Sequence, residues 1–482
     1  MPASLKKNFF YSALLTLANY VFPLITYPYV SRVLGVTGIG ICNFVDGIVN
    51  YFIVFSTMGI SVLGVREIAA VRDNRQERSR AFSDLLTLTG ITTMAAAAVL
   101  LGAMFLVPKL FPYRKLLFVG VAKLIAHSLS LEWFFRGIEE FKFITNRSIA
   151  IKTLFVAAVF IFVRSADDYG IYFLLLSLSV IINTLVNVIY SRRFTGFSFK
   201  GLNLKRFAGP FFLLGLNFVL TSFYSFMNVI YLGFTWDNDQ VGFYTTATKI
   251  LTIIIALISA FTTVMLPRMS AVLTDGRKDE FYGYVKNAVN VLFLVGLPAI
   301  FLLFAEAHDV IWVISGNGYN GAIRPMRIVS PMLLIVGLEQ ILIVQILIPM
   351  KRDLPVFILS AIGASVGILL NLLLVRSMGA DGSAIVWLSA ESAVCLAALI
   401  TVFCKTEMSF PVKRVLLMLL LYLPLFPVLM WISTLPIEKV YLRLGLSCGL
   451  TALYFLIVSC WIIKDELVLG LFRQTFARLK KN

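Results

Sequence analysis

Fourteen apolar stretches of about twenty residues follow one another along the chain, with no gap between them longer than about twenty residues. A helix rises about 1.5 Å per residue, so each stretch is long enough to cross a hydrocarbon core of about 30 Å. The pattern predicts helix cores at 9–31, 41–63, 83–107, 116–136, 146–164, 170–190, 207–234, 242–266, 285–306, 326–350, 356–376, 383–403, 415–434 and 441–463. The expected fold class is an all-α integral membrane protein. The connecting segments leave no room for a soluble catalytic domain. The first stretch outruns the usual apolar length of a secretory signal and has no small-x-small site before the next helix, which predicts a retained span.

Composition agrees: 59% of the 482 residues are hydrophobic, 14% are charged, and the mean hydropathy is +0.90. A water-soluble chain of this length cannot hide so much apolar surface. The net charge of +17 would point to nucleic acid in a soluble protein, but here its distribution decides. With the N-terminus inside, inward-facing segments hold 29 Lys and Arg and outward-facing ones 10. That asymmetry predicts both termini in the cytoplasm. Basic runs such as Arg72, Arg75, Arg78 and Arg80 become topology and lipid-headgroup signals. The five cysteines (Cys42, Cys395, Cys404, Cys448 and Cys460) lie in or beside apolar helices without CxxC spacing, so no disulfide, metal site or cofactor is expected. Asp167-Asp168-Tyr169 is too short and isolated for a metal motif.

The chain repeats itself. At an offset of 198, Asn19 falls on Asn217 and Leu34-Gly35 on Leu232-Gly233. Four extra loop residues shift the offset to 202, and Gly40 then meets Gly242, Asn43 meets Thr245, Asp46 meets Thr248 and Arg66 meets Arg268. Six helices separate the copies, so both start from the same side and the repeat is parallel, about an axis along the membrane normal. The expected organisation is a six-helix lobe at 1–206, a second at 207–404, and helices thirteen and fourteen with a cytoplasmic tail at 405–482. A central cavity would lie between the lobes. Pro23 and Pro28 interrupt the first helix, whereas their counterparts Thr221 and Phe226 do not. Proline removes a backbone hydrogen bond, so a hinge is expected in the first lobe alone.

Polar stripes run along equivalent helices of both copies. Ser12, Thr16, Asn19 and Thr26 share one face of the first helix, and Asn217, Thr221, Tyr224, Asn228 and Tyr231 one face of the seventh. Asn43, Asp46 and Asn50 mark the second; Thr245, Thr248, Lys249 and Thr252 the eighth. Hydroxyls and amides also join packed helices, but matched stripes in both lobes favour a hydrated cavity. A charge at mid-bilayer costs at least about 2.5–3.5 kcal/mol, so intramembrane ionisable groups mark function. Lys123, Lys152 and Lys249 suit an anionic cargo, since lysine donates strongly to phosphate oxygens. Asp46 and Lys249, in equivalent helices, are expected to face each other. Lys123, His127 and Ser130 form one stripe, while Glu132 and Arg136 are spaced for a local ion pair. Glu339 and Glu391 fall mid-span in helices ten and twelve, where a carboxyl group suits coupling to H+ or Na+.

The segment LLTLANYVFPLITYPYVSRVLGVTGIG (Leu14 to Gly40) and the loop GVREIAAVRDNRQERSR (Gly64 to Arg80) resemble the opening of Wzx-type polysaccharide flippases. The fourteen-helix layout and the late GADGSAI turn (Gly379 to Ile385) are also similar. The resemblance implies the fold of the multidrug/oligosaccharidyl-lipid/polysaccharide exporter superfamily, in a bacterial inner membrane. It implies a cargo of oligosaccharide on polyprenyl pyrophosphate, such as an O-antigen, capsule or exopolysaccharide unit, turned from the cytoplasmic to the outer leaflet. Polysaccharide polymerases and glycosyltransferases would be the pathway partners, with no nucleic acid. Lys123, Lys152 and Lys249 fit the pyrophosphate chemically, and Arg32 and Arg66 stand as cavity-rim positions or interfacial anchors.

A drug/cation antiporter of the same superfamily is the nearest alternative, and would favour an acidic cavity over a basic one. A peptidoglycan-precursor flippase is a second relative. A membrane-embedded glycosyltransferase or polymerase would need a long outer loop or clustered catalytic groups. The longest outer loop, Ala307 to Pro325, offers Asp309, Arg324 and little else, so no enzyme is expected.

Overall fold

The computed structural model describes residues 5–199, 201–406, 410–437, 439–464 and 469. Among these every regular element is helical. Ten helical segments are long and apolar enough to cross a membrane, or eleven if one bent pair counts as a span. The chain divides into two compact units, Met1–Thr246 with Ser360–Ala390, and Ala247–Leu359 with Glu391–Asn482.

The first unit opens with α1 (Leu5–Thr57), too long for one crossing. It kinks at Gly35, whose φ of 67° and ψ of −179° suit a residue without Cβ. The helix continues through Pro23 and Pro28, so the sharp break falls at the glycine. A loop is expected at 32–40; one glycine suffices. After α1 come α2 (Ile60–Ala70), α3 (Arg75–Leu106), α4 (Arg114–Ser128), the short α5 (Glu132–Gly137), α6 (Phe141–Phe162) and α7 (Tyr169–Ser191). Next are α8 (Leu204–Ser225), α9 (Met227–Thr235) and α10 (Asn238–Thr274), whose start belongs to this unit. The expected helix over 116–136 is interrupted: Leu131 adopts φ 55° between α4 and α5. In the α6–α7 turn Asp168 accepts the Arg164 and Ser165 amides, each at 2.8 Å. Those two hydrogen bonds hold its carboxyl below the usual range, which makes the Asp-Asp pair a turn device.

An aromatic core of Phe82, Trp133, Phe134 and Phe135 packs with Leu63, Ile68 and Phe211. The most intimate contact is backbone to backbone. A Cβ on Gly40 would lie 1.8 Å from the Asn238 carbonyl oxygen, and one on Gly242 2.3 Å from that of Val36. At the offset of 202 Val36 corresponds to Asn238 and Gly40 to Gly242, so the two contacts are images of each other. Thr37, which donates to Asp239 at 2.5 Å, is likewise bonded to its own counterpart. Reciprocal contacts of this kind are the mark of two-fold related surfaces.

The second unit contains the rest of α10, then α11 (Lys278–Ala305), α12 (Ala307–Ser315), α13 (Ile323–Val329) and α14 (Met332–Gln340). A π-helical stretch, Ile341–Leu347, continues α14. The expected helix over 326–350 is bent by 41° between its two parts, at Ser330-Pro331, where proline lacks an amide hydrogen. After α15 (Asp353–Leu370) and α16 (Arg376–Lys405), both shared with the first unit, come α17 (Val412–Tyr422), α18 (Leu425–Ser433) and α19 (Val440–Leu456). Gly379, in the GADGSAI segment, kinks α16 at φ 57°. Val285, Val289, Leu342, Ile346, Val394 and Ala398 form one apolar core, and Leu294, Leu297, Tyr422, Leu425 and Val458 another. Outward faces carry exposed Leu, Ile and Phe, for example Leu106, Leu154, Leu420 and Trp461, a surface suited to lipid rather than water.

Gly40→Ala forces its new methyl into the Asn238 carbonyl and should lower stability by about 1–3 kcal/mol, the range for overpacking. Gly90→Ala, where a Cβ meets nothing within 4 Å, should leave it unchanged or raise it by about 0.5–1 kcal/mol. Thermal unfolding of the two variants in lipid nanodiscs checks the pair; equal midpoints would refute the contact.

Candidate functional site

Charged side chains in the first unit are held by polar partners drawn from distant parts of the chain. Lys123 on α4 reaches Asp46 on α1, Nζ to Oδ1 at 2.5 Å, and Asn50 donates to the other carboxylate oxygen at 2.8 Å. The Lys123 side chain is only 10% exposed, a depth at which an ammonium group requires a counterion. Asp46 and Lys123, placed on different stripes by the sequence, thus belong to one ion pair. Lys249, the expected partner of Asp46, lies on α10 in the second unit and is half-buried.

Lys152 on α6 differs. Its Nζ donates to Asn19 Oδ1 on α1 at 2.6 Å, and among the described residues no carboxylate lies within ion-pair distance. Asn19 and Lys152 therefore form a neutral–cation pair, and the carboxylate that acts on the ammonium, Glu132, does so through space without an ion-pair contact. The ammonium keeps donors to spare, since it has three hydrogens.

Near the α4–α5 break lies a network the sequence did not reveal. Arg147, buried on α6, donates to Glu132 at 3.2 Å, to Ser148 and to Asn187 of α7. Asn187 in turn donates to the Ser130 carbonyl, freed where the helix breaks. Glu132 also meets Arg136 at 3.7 Å, the expected i,i+4 pair. His127, Ser130, Glu132 and Asn183 line a polar cleft of about 350 Å³ there. The advance sign of Arg147 in the sequence was its position as the second residue of the predicted span 146–164.

Other expected site residues are placed elsewhere. Asn43 donates to the carbonyl of Ile39 one turn back, at 2.8 Å. Asn228 is fully buried, donating to Tyr244 and to the Ser383 carbonyl at 2.9 and 2.8 Å, which ties α9 to α16. Arg66 pairs with neighbouring Glu67 at 3.0 Å and is largely exposed; Arg32 is also exposed. Asn217 and Tyr224 lie on α8, but their side chains fall outside the described ones.

In the second unit Glu339, in the last turn of α14, and Glu391 on α16 hydrogen-bond through their side chains. A hydrogen bond between two carboxyl groups needs one proton between them. Oε2 of Glu339 is buried without a partner, and Gln340 beside it accepts from Thr262 at 3.3 Å. A second polar cluster joins α12 to α19: Arg443 and His308 both donate to buried Asp309, and Ser447 donates to Glu306 at 2.7 Å.

Polar and charged groups secured to one another inside apolar helical spans define a multi-pass membrane protein. A family profile described as polysaccharide biosynthesis protein matches residues 5–273, and the chain belongs to that family. A putative O-antigen transporter of Escherichia coli (strain K12) is 25% identical over 348 residues, 72% of this chain and 84% of that protein. A putative O-antigen transporter of Shigella dysenteriae is 24% identical over 277 residues, 55% and 67% of the two. Among solved structures, the lipid II flippase MurJ in an inward closed conformation aligns with a TM-score of 0.75 at 15% identity, over 94% of this chain and 99% of that one. An inward-facing multidrug resistance MATE family transporter of the MOP superfamily aligns at 0.60 and 13% identity, over 82% and 98%. These likenesses show the fold. The chain is a multi-pass membrane transporter, not an enzyme.

Asp46→Asn removes the counterion of Lys123 and should cost about 3 kcal/mol, the low end for breaking a buried pair, because Asp46 keeps 28% exposure. The double variant Asp46→Asn/Lys123→Gln should recover much of that loss. Thermal unfolding in nanodiscs decides: a double variant as unstable as the sum of the singles would show that the two groups are not coupled.

Proposed function

We propose that this transporter turns polyprenyl-pyrophosphate-linked oligosaccharides from the cytoplasmic to the outer leaflet of a bacterial inner membrane. It does so by alternating access between the six-helix lobes 1–206 and 207–404, with Pro23 and Pro28 as bending points. The chain has fourteen spans and both termini in the cytoplasm. In support of the count, Phe10–Ala70 and Leu354–Lys405 run for 61 and 52 residues across the Gly35 and Gly379 kinks. Each is long enough for two crossings. The positive-inside charge distribution supports the orientation.

The observation that carries the cargo assignment is Lys152, an intramembrane ammonium held by neutral Asn19 at 2.6 Å. A cation within a span that has no carboxylate in ion-pair contact favours an anionic passenger, and membership of the polysaccharide-biosynthesis family supplies its chemical class. Lys123 contributes less, since Asp46 already neutralises it. Turnover is coupled to protons through Glu339 and Glu391, whose mutual hydrogen bond supports a shared proton.

Lys152→Gln removes a charged donor worth about 1.5–3 kcal/mol toward a phosphate oxygen. Flipping of a labelled polyprenyl-pyrophosphate oligosaccharide in proteoliposomes should fall about ten- to a hundredfold, while Lys152→Arg keeps most of it. Unchanged flipping by Lys152→Gln would remove the cation from the path. Glu339→Gln/Glu391→Gln should flip at a rate independent of an imposed pH gradient, whereas the wild type accelerates with it; full gradient response in the variant would end the coupling proposal.

A further inference from the structure

Three turns of the second unit close around a cleft of about 520 Å³, and each delivers one cation. Lys278 comes from the start of α11, Arg352 from the turn after the π-helical stretch, and Lys405 from the end of α16. All three are exposed. Among the described residues no carboxylate lines the cleft, and none of the three cations is ion-paired. Arg352 follows Lys351, whose φ of 57° is a backbone conformation that a non-glycine residue keeps only when its surroundings enforce it. Leu273, Tyr282 and Met350 supply hydrocarbon to the lining of the same cleft.

Three converging cations beside apolar side chains match a lipid phosphate, the ammonium and guanidinium groups meeting phosphate oxygens and the apolar side chains meeting hydrocarbon. Charge sets which phosphate. A phosphodiester carries one negative charge and leaves two cations uncompensated, whereas the pyrophosphate diester of a lipid-linked sugar carries two adjacent charges and leaves one. We propose that this cleft captures the pyrophosphate group of a lipid-linked substrate. The proposal rests on the flippase reading above and gives that headgroup a docking place separate from Lys152.

Cys404 lines the same cleft and is exposed, which makes it a native reporter. The test follows its modification by a water-soluble maleimide, resolved by mass spectrometry, in the full chain in phosphatidylcholine nanodiscs. Sugar-free polyprenyl pyrophosphate, at ten times its half-saturating concentration, should slow modification about tenfold, and cardiolipin should not. Lys278→Gln/Arg352→Gln/Lys405→Gln should be modified at the same rate with and without the lipid, and a thermal unfolding midpoint near that of the wild type shows the variant folded. Lys278→Arg/Lys405→Arg should retain the protection. Equal protection by cardiolipin would make this an ordinary anionic-lipid site and overturn the proposal, as would no protection by either lipid. Leaflet exchange measured on the same preparation separates the two readings: flipping without protection sinks the cleft alone, and protection without flipping sinks the transport reading alone.

Discussion

A bilayer core does not tolerate an uncompensated charge, and that single constraint accounts for how the polar groups of this protein are arranged. Inside spans made of Leu, Ile, Val and Phe, several charged side chains among the described residues have partners suited to their depth. Lys123, nearly buried, takes a carboxylate and an amide-supported one at that. Arg147 takes Glu132 and Asn187, and Asn187 also satisfies a carbonyl released by the helix break at Leu131. Glu339 and Glu391 meet each other. Lys152, more accessible, makes do with an amide. The pairs run from full neutralisation at Lys123 to an amide partner at Lys152.

The same economy shapes the backbone. Spans reverse or bend where a residue tolerates unusual dihedrals or lacks an amide hydrogen: Gly35 and Gly379 at positive φ, Pro331 at the bend between α13 and α14. Close approach at Gly40 and Gly242 brings two segments matched at an offset of 202 into reciprocal contact. A methyl at either place would keep them apart. Glycine serves here as a packing surface, and elsewhere as a turn.

Much of this was legible in the sequence because the relevant signals are local. Apolar length marks spans, the Glu132–Arg136 spacing marks an i,i+4 pair, and the offset of 202 pairs Gly40 with Gly242 before any coordinates. What was not legible depends on contacts between distant residues. Asp46 and Lys123 are 77 positions apart, so nothing in either stripe says that they meet rather than Asp46 and Lys249. Asn228 reads as a cavity residue on its own helix, yet its amide is consumed by Tyr244 and Ser383. The break at Leu131 carries no glycine or proline to announce it. Arg147 drew no reading from the sequence, because its partners Glu132 and Asn187 lie 15 and 40 positions away.

The sign of the cargo tests the account most directly. Wild-type protein in sealed vesicles, offered a labelled polyprenyl-pyrophosphate oligosaccharide and, separately, a small lipophilic cation, should move the first between leaflets and leave the second where it is. Export of the cation with no movement of the anionic lipid would contradict a cationic path and make this chain a drug antiporter.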